Sequence, residues 1–157
     1  MIFLSLFIYS ASVLVLFFNL FVFLKNKKST VNFSFAIFGI SIFFWLVCYG
    51  TAYLISDLRL KLFLFRLGYI GVISIPATFL NFSIHILGLH NKKIENFKKF
   101  VWFLCTIFIL FNFFKSGFLN ALIKYPWGYY PAATPILHPA LLVYFMSISN
   151  LGGSQNP

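Results

Sequence analysis

Long apolar runs separated by short polar segments form the main pattern of this chain. The first run, residues 2–24, is uninterrupted, and about 20 apolar residues are enough for a helix to cross the hydrocarbon core of a bilayer. Comparable runs predict further membrane spans over residues 33–55, 61–88 and 100–118. A fifth run begins at Ala140 and loses its apolar character by residue 150, so we expect only a partial fifth span.

The segment 119–139, between the fourth and fifth runs, departs from this pattern. Its second half carries Pro126, Pro131, Pro135 and Pro139. Proline has no N–H and restricts the residue before it, so these positions oppose a helix. The Trp and Tyr residues among them are typical of the boundary between hydrocarbon and water. We therefore predict an ordered aromatic cap here, in a non-helical outer loop.

Composition supports membrane insertion. The chain is 61% hydrophobic and 9% charged, with a mean hydropathy of +0.95, whereas soluble domains carry about 25% charged residues. The net charge of +10 comes mainly from lysines in short clusters between apolar runs, which does not favour nucleic-acid binding. The predicted fold class is an all-α, polytopic helical membrane bundle in the lipid bilayer, with four complete transmembrane helices plus a partial fifth.

The distribution of basic residues predicts the orientation of the chain. Lysines are most frequent in the first polar segment (Lys25, Lys27, Lys28) and the third (Lys92, Lys93, Lys98, Lys99). The second and fourth segments carry fewer basic residues: Arg59, Lys61, Lys115 and Lys124. By the positive-inside rule the N-terminus and the aromatic cap then lie outside. No basic residue precedes the first run, which is therefore predicted to be a retained span and not a signal peptide.

Each predicted span carries polar or small residues at helical spacing, and such faces pack together in lipid. The residues predicted to line the bundle interior are Asn19, Trp45, Tyr49, Ser74, Thr78, Asn81 and His85. They would serve either as hydrogen-bonding contacts between helices or as a ligand pocket or ion path. For His85 the alternatives are packing or headgroup contact on the one hand and a proton relay on the other.

Arg66 lies about two turns into the third span on the outer side. It would extend to the headgroups, pair with an anionic ligand, or contact the outer cap. Aromatic and hydrogen-bonding groups converge on the same rim. The predicted ligand site at the outer cap comprises Arg66, Tyr69, Trp127, Tyr129 and Tyr130.

The sequence carries no catalytic constellation. Its two acidic residues, Asp57 and Glu95, fall on opposite sides of the membrane in the predicted topology, which excludes paired-carboxylate catalysis. We find no glycine-rich phosphate loop, metal cluster or nucleophile motif. Cys48 and Cys105 lie inside apolar runs and are predicted to be small packing residues. We therefore predict no catalytic residue, no metal and no cofactor.

Three segments resemble the histidine kinase N-terminal seven-transmembrane region. They are NFSFAIFGISIFFWLVCYG (32–50), FRLGYIGVISIPATFLNF (65–82) and PWGYYPAATPILHPALLVYF (126–145). The resemblance covers most of residues 1–148. It implies a bacterial sensory module with an outside N-terminus, whose last helix leads into a cytoplasmic output domain such as a histidine kinase, a nucleotide cyclase or a phosphatase.

The resemblance predicts the input region of a signal-transduction receptor in the bacterial inner membrane. Residues 149–157 do not continue the family pattern, so we expect a receptor truncated within its fifth helix, without an output domain and therefore not an enzyme. The expected partners are a small-molecule or membrane-borne stimulus and a second copy of the chain. Two alternatives remain: a small non-catalytic helical subunit of a larger membrane complex, and a small transporter.

Overall fold

The computed structural model describes residues 2–89, 91–114, 118–126, 128–135 and 137–151. Lys115, Trp127 and the tail 152–157 lie outside the described residues. The elements, in chain order, are α1 (Ile2–Lys25), α2 (Thr30–Leu54), α3 (Leu58–Ile86), α4 (Lys92–Asn112), β1 (Leu119–Tyr125), β2 (Gly128–Ala133) and α5 (Leu137–Leu151). The fold is mostly helical, as the apolar runs predict. The prediction of an all-α protein is wrong, because β1 and β2 are strands.

Helices α1, α2 and α3 are each long and apolar enough to cross a membrane. Side-chain caps define where two of them begin. The hydroxyl of Ser29 accepts a hydrogen bond from the backbone N–H of Asn32 at 3.3 Å, and the carboxylate of Asp57 accepts one from Leu60 at 2.8 Å. Such caps satisfy N–H groups that have no acceptor within the helix. The short connections between these helices make sequence neighbours antiparallel in space.

Small residues allow the first three helices to approach closely. A Cβ added at Gly71 would lie 2.5 Å from the carbonyl oxygen of Ser41 and 2.9 Å from the backbone nitrogen of Trp45. A Cβ at Gly39 would overlap the amide of Asn19. The backbone of α2 therefore packs directly on α3, and the polar face of α1 packs on α2, as is usual for helices in lipid.

The fourth helix begins earlier than predicted. It runs from Lys92 to Asn112 instead of from residue 100 to residue 118, so most of the charged segment expected to be a loop is helical. The side chain of Asn91 caps it by accepting from Ile94 at 2.9 Å, and Glu95 pairs with Lys98 at 2.8 Å. Ile94 and Phe97 pack against the core. Periodic apolar positions within a charged segment were the signal for this helix.

Residues 119–133 form a hairpin, where a non-helical loop was predicted. Strand β1 pairs antiparallel with β2 from Tyr125 opposite Gly128 to Leu119 opposite Ala133, with an irregularity between Leu119 and Ala121. The prolines oppose a helix but permit an edge strand, because an edge N–H needs no partner. Pro131 accordingly lies opposite Leu122. Gly128 has φ 130°, a conformation that favours glycine.

The fifth helix also begins earlier than predicted, at Leu137 and not at Ala140. Pro139 therefore lies in its first turn, where a missing N–H costs no helical hydrogen bond. The backbone N–H of His138 donates to the carbonyl of Thr134 at 3.3 Å. Leu141 and Tyr144 of α5 are buried. Helix α3 is central to the bundle, because it contacts α2, α4, β1 and α5.

Candidate functional site

Arg66 joins three elements at the hairpin end of the bundle. Its Nε donates to the carbonyl oxygen of Leu119 in β1 at 2.9 Å. The Nδ2 of Asn112, at the end of α4, donates to the carbonyl oxygen of Arg66 at 2.6 Å. The side chain of Arg66 therefore contacts the hairpin, the segment that was predicted to be an outer cap, and its backbone holds the end of α4.

Tyr69 lies one turn further along α3 and connects this helix to α5. It is 6% exposed, and its hydroxyl is 2.9 Å from Nδ1 of His138. Its ring packs on Phe118, with the centroids 5.8 Å apart, and Phe118 is fully buried immediately before β1. The backbone N–H of Thr134 donates to the carbonyl of Phe118 at 2.9 Å, which closes the base of the hairpin. Movement of the hairpin would therefore act on both Tyr69 and the start of α5.

An aromatic cluster lies beneath the hairpin. Phe65 has no exposed surface, and its ring centroid is 4.8 Å from that of Tyr49, 5.5 Å from that of Tyr53 and 6.5 Å from that of Tyr130. Edge-to-face pairs of this kind contribute about 0.5–1.5 kcal/mol beyond their burial. Tyr49, predicted in the interior, thus lies in one cluster with Tyr130, predicted in the cap.

Lys61 is a residue of this site that the sequence analysis assigned only to a connecting segment. It is 5% exposed, and its Nζ lies 5.5 Å from the ring centroid of Tyr129. A cation over an aromatic face is stabilised by the charge distribution of the ring. Its helical spacing from Phe65 was the available signal, since residues four apart share one face of a helix.

A groove of about 260 Å³ opens between α3 and α5. Its polar lining groups are Tyr69 and His138. The other side chains that line it are apolar: Val72, Leu141, Leu142, Phe145 and Met146. Pockets for small molecules have this arrangement of an apolar wall with few polar groups. Of the predicted ligand-site residues, Tyr69 therefore lines the groove, whereas Arg66 contacts the hairpin, and Tyr129 and Tyr130 belong to the hairpin.

The opposite end of the bundle contains a second polar cluster. Oγ of Ser34 in α2 lies 3.1 Å from Nδ1 of His85 and accepts from Nδ2 of Asn81 at 3.2 Å, both in α3. Nδ1 of His85 is also 2.7 Å from the carbonyl oxygen of Asn81. These bonds hold the start of α2 on the end of α3, so Asn81 and His85 lie far from the hairpin.

The remaining predicted interior residues lie between or beside the two clusters. The hydroxyls of Ser74 and Thr78 donate to carbonyls of α3 itself, and Nδ2 of Asn19 donates to the carbonyl of Val15 in α1. The ring of Trp45 packs edge-on against Tyr49 at 5.9 Å. Among the described residues, the predicted interior set is thus divided between the two ends and does not converge on one site.

The described helices define a multi-pass helical membrane protein, since three of them are long and apolar enough to span a bilayer. Residues 7–149 match the family described as the N-terminal 7TM region of histidine kinase, and the chain belongs to that family. The resemblance in segments 32–50, 65–82 and 126–145 is thereby confirmed. No curated protein and no solved structure matches the chain. The matched region is the sensory part of such kinases, and no catalytic domain is found in the chain.

Proposed function

We propose that this chain is the membrane input region of a bacterial signalling receptor, and that it detects a small-molecule or membrane-borne stimulus at the hairpin end. The observation that carries the proposal is the pair Arg66 and Tyr69. Both residues lie in α3. Arg66 contacts the hairpin through Leu119, and Tyr69 contacts the start of α5 through His138. A stimulus that moves the hairpin would therefore change how α5 packs on α3.

The proposed topology places the N-terminus and the hairpin outside the cell, with the lysine-rich connections in the cytoplasm. The bias of lysines towards residues 25–28 and 92–99 supports this orientation. The proposed complete spans are α1, α2, α3 and the apolar part of α4, and α5 is the proposed partial fifth span, in the bacterial inner membrane. The hairpin would then be the first part of the protein that a stimulus reaches.

The stimulus would act by shifting an equilibrium between two packings of α5 against α3, since a ligand changes a conformation only by binding one state more tightly. Buried polar atoms at the hairpin end offer places for such binding. Oδ1 of Asn112 and Oγ1 of Thr134 are buried and have no hydrogen-bond partner among the described residues. A ligand donor that satisfied either atom in one packing would favour that packing.

The transporter alternative receives less support from the same geometry. A water-filled path would need the polar groups of α3 to be continuous from one end to the other. The hydroxyls of Ser74 and Thr78 instead donate to the helix backbone.

Thermal unfolding of the purified 157-residue chain in lipid nanodiscs, screened against amphiphilic small molecules, tests the proposed site. A ligand present at 100 times its Kd stabilises the folded state by about 2.7 kcal/mol, which is a measurable rise in Tm. We expect that rise to be lost in Arg66→Ala and Tyr69→Phe and kept in Ser83→Ala, which changes an exposed hydroxyl of α3 near the other end. A stabilising ligand whose effect survives both hairpin-end substitutions would contradict the proposed site.

A further inference from the structure

Lysines gather at the end of the bundle opposite the hairpin. Two connections meet there, because Oγ of Ser34 lies 3.1 Å from Nδ1 of His85 and Nδ2 of Asn32 donates to the carbonyl of Val22 at 2.8 Å. These bonds hold the α1–α2 connection beside the α3–α4 connection. The lysine end is defined by Lys25, Lys27, Lys28, Lys92, Lys93, Lys98 and Lys99.

The carboxylates of the chain cannot neutralise this end. The sequence has two acidic residues. Asp57 caps the start of α3, near the hairpin, and Glu95 is paired with Lys98 at 2.8 Å. A single carboxylate cannot neutralise the seven lysines of this end, and Lys25, Lys27, Lys28, Lys92, Lys93 and Lys99 are exposed. Their positive charge would be balanced by anions from outside the chain.

The first turn of α4 strengthens this requirement. Lys92 and Lys93 open the helix, where unpaired N–H groups and the helix dipole favour a negative charge and oppose a positive one. The side chain of Asn91 satisfies one N–H, that of Ile94. An anion placed here would interact favourably with the two ammonium groups and with the helix terminus together.

The same face of α4 is apolar immediately beyond the lysines. At 100° per residue, Lys92, Lys99 and Phe103 fall within about 40° of one another. Phe103 is 61% exposed, and Phe100 beside it is 54% exposed, whereas Ile94 and Phe97 pack on the core. The exposed face thus changes from cationic to aromatic along the helix axis, which matches a molecule with an anionic head and a hydrocarbon tail.

We propose that the lysine end binds anionic phospholipids, with Lys92, Lys93 and Lys99 at the headgroup phosphate and Phe100 and Phe103 along an acyl chain. The lysines of the α1–α2 connection contribute to the same surface. Lipid is favoured over free phosphate because the spanning helices hold this end at headgroup height and because the aromatic positions would meet a tail. The proposal rests on membrane insertion and is independent of the stimulus and of the orientation.

Lipid titration of the full chain in detergent micelles, followed by native mass spectrometry, tests this proposal. We expect phosphatidylglycerol to be retained more tightly than phosphatidylcholine. Removing one lysine charge near an anionic surface costs about fivefold in affinity, so Lys92→Gln/Lys93→Gln should weaken phosphatidylglycerol binding by about 25-fold. The loss should shrink at high salt, because salt screens exposed charges.

The matched control is Arg59→Gln/Lys124→Gln, which removes the same charge from exposed positions at the hairpin end and should leave phosphatidylglycerol binding within about twofold. Lys92→Arg/Lys93→Arg keeps the charge and should keep the binding, which separates charge from folding. Equal retention of the two lipids, or an equal loss in both glutamine pairs, would overturn the proposal. Displacement of the lipid by millimolar inorganic phosphate would overturn it in favour of a free-phosphate site.

Discussion

Asn112 is fully buried at the end of α4, and its amide contributes both a bond and a cost. Nδ2 donates to the carbonyl of Arg66 at 2.6 Å, whereas Oδ1 has no partner among the described residues. A hydrogen bond between membrane helices contributes about 0.6 kcal/mol on average. A buried acceptor without a partner costs about 1–3 kcal/mol. On these magnitudes the hydrogen bonding of the amide gives no net stabilisation, and Asn112 stabilises the bundle through the space that its side chain fills.

This balance predicts how substitutions at Asn112 change stability. Asn112→Leu keeps the number and branching of the side-chain heavy atoms and removes the unsatisfied oxygen, and the Arg66 carbonyl keeps its bond within α3. We expect its free energy of unfolding to stay within about 1 kcal/mol of the parent value. Asn112→Ala leaves a cavity and should cost about 2 kcal/mol more than leucine. Unfolding of both variants in detergent by increasing dodecyl sulfate measures the difference, and equal losses in the two would show that the hydrogen bond, not packing, holds α4.

Arg66 shows how far one residue could be understood from the sequence. An arginine inside an apolar run is typically paired or extends to the headgroups, and contact with the predicted outer cap was one of its three predicted uses. The structure places its Nε on the carbonyl of Leu119, which is 53 positions away in the sequence. Local sequence cannot select this acceptor, because the choice depends on where the hairpin folds back onto α3.

The hairpin is the element that the sequence analysis missed. Its prolines oppose a helix, as predicted, but they are also compatible with edge strands. The run of Ile123, Tyr125, Tyr129 and Tyr130 around Gly128 carries residues that favour strands. That signal is weak over so few residues, and the hairpin also packs on α3, through Tyr130 on Phe65 and through Phe118, next to β1, on Tyr69.

Gly128 gives a test of the hairpin as an independent element. Its φ of 130° is strained for any residue with a Cβ, at a cost of about 1–3 kcal/mol. We expect Gly128→Ala to accelerate amide hydrogen exchange in β1 by at least about fivefold while exchange in α2 stays unchanged. The control is Gly88→Ala, which also replaces a positive-φ glycine (φ 64°) but lies at the other end of α3. Equal acceleration in the two variants would indicate global destabilisation and not opening of the hairpin.

At the scale of the whole molecule, α3 connects two ends with different chemistry. The hairpin end gathers aromatic rings, Arg66 and Lys61, and the other end gathers exposed lysines around the Ser34–Asn81–His85 cluster. The proposed receptor detects its stimulus at the first end, and the lysines hold the second against anionic headgroups. The proposed role of the hairpin end depends on whether that end faces the outside of the cell, whereas lipid binding at the lysine end does not depend on the orientation.

Cysteine labelling in intact cells determines that orientation. We expect an impermeant maleimide to label Lys124→Cys and to spare Lys27→Cys until the cells are opened, because the basic bias places residue 27 inside. Both positions are exposed. The parent chain is the control for background, since Cys48 and Cys105 are buried. Labelling of residue 27 alone in intact cells would reverse the proposed topology and would place the hairpin in the cytoplasm.

The membrane character, the helices and the family could be predicted from the sequence, because they depend on local properties. An apolar run long enough to cross a bilayer must satisfy its backbone internally, and a helix does so without help from distant residues. The first residues of α4 and α5 were harder to predict from the sequence. Residues 92–99 and Pro139 are unfavourable for a helix unless the caps and the neighbouring contacts are known.

Which polar groups contact one another could not be predicted and is seen in the folded structure. The contact between Tyr69 and His138 joins residues 69 positions apart, and Arg66 donates to Leu119, a position of β1 that pairs with Ala133 of β2. Such contacts depend on how helices and strands pack, and many packings are compatible with the same apolar pattern. An apolar pattern specifies which segments enter the lipid, but it does not specify which of their faces pack together. Hydrogen bonds and close contacts between the elements specify those faces.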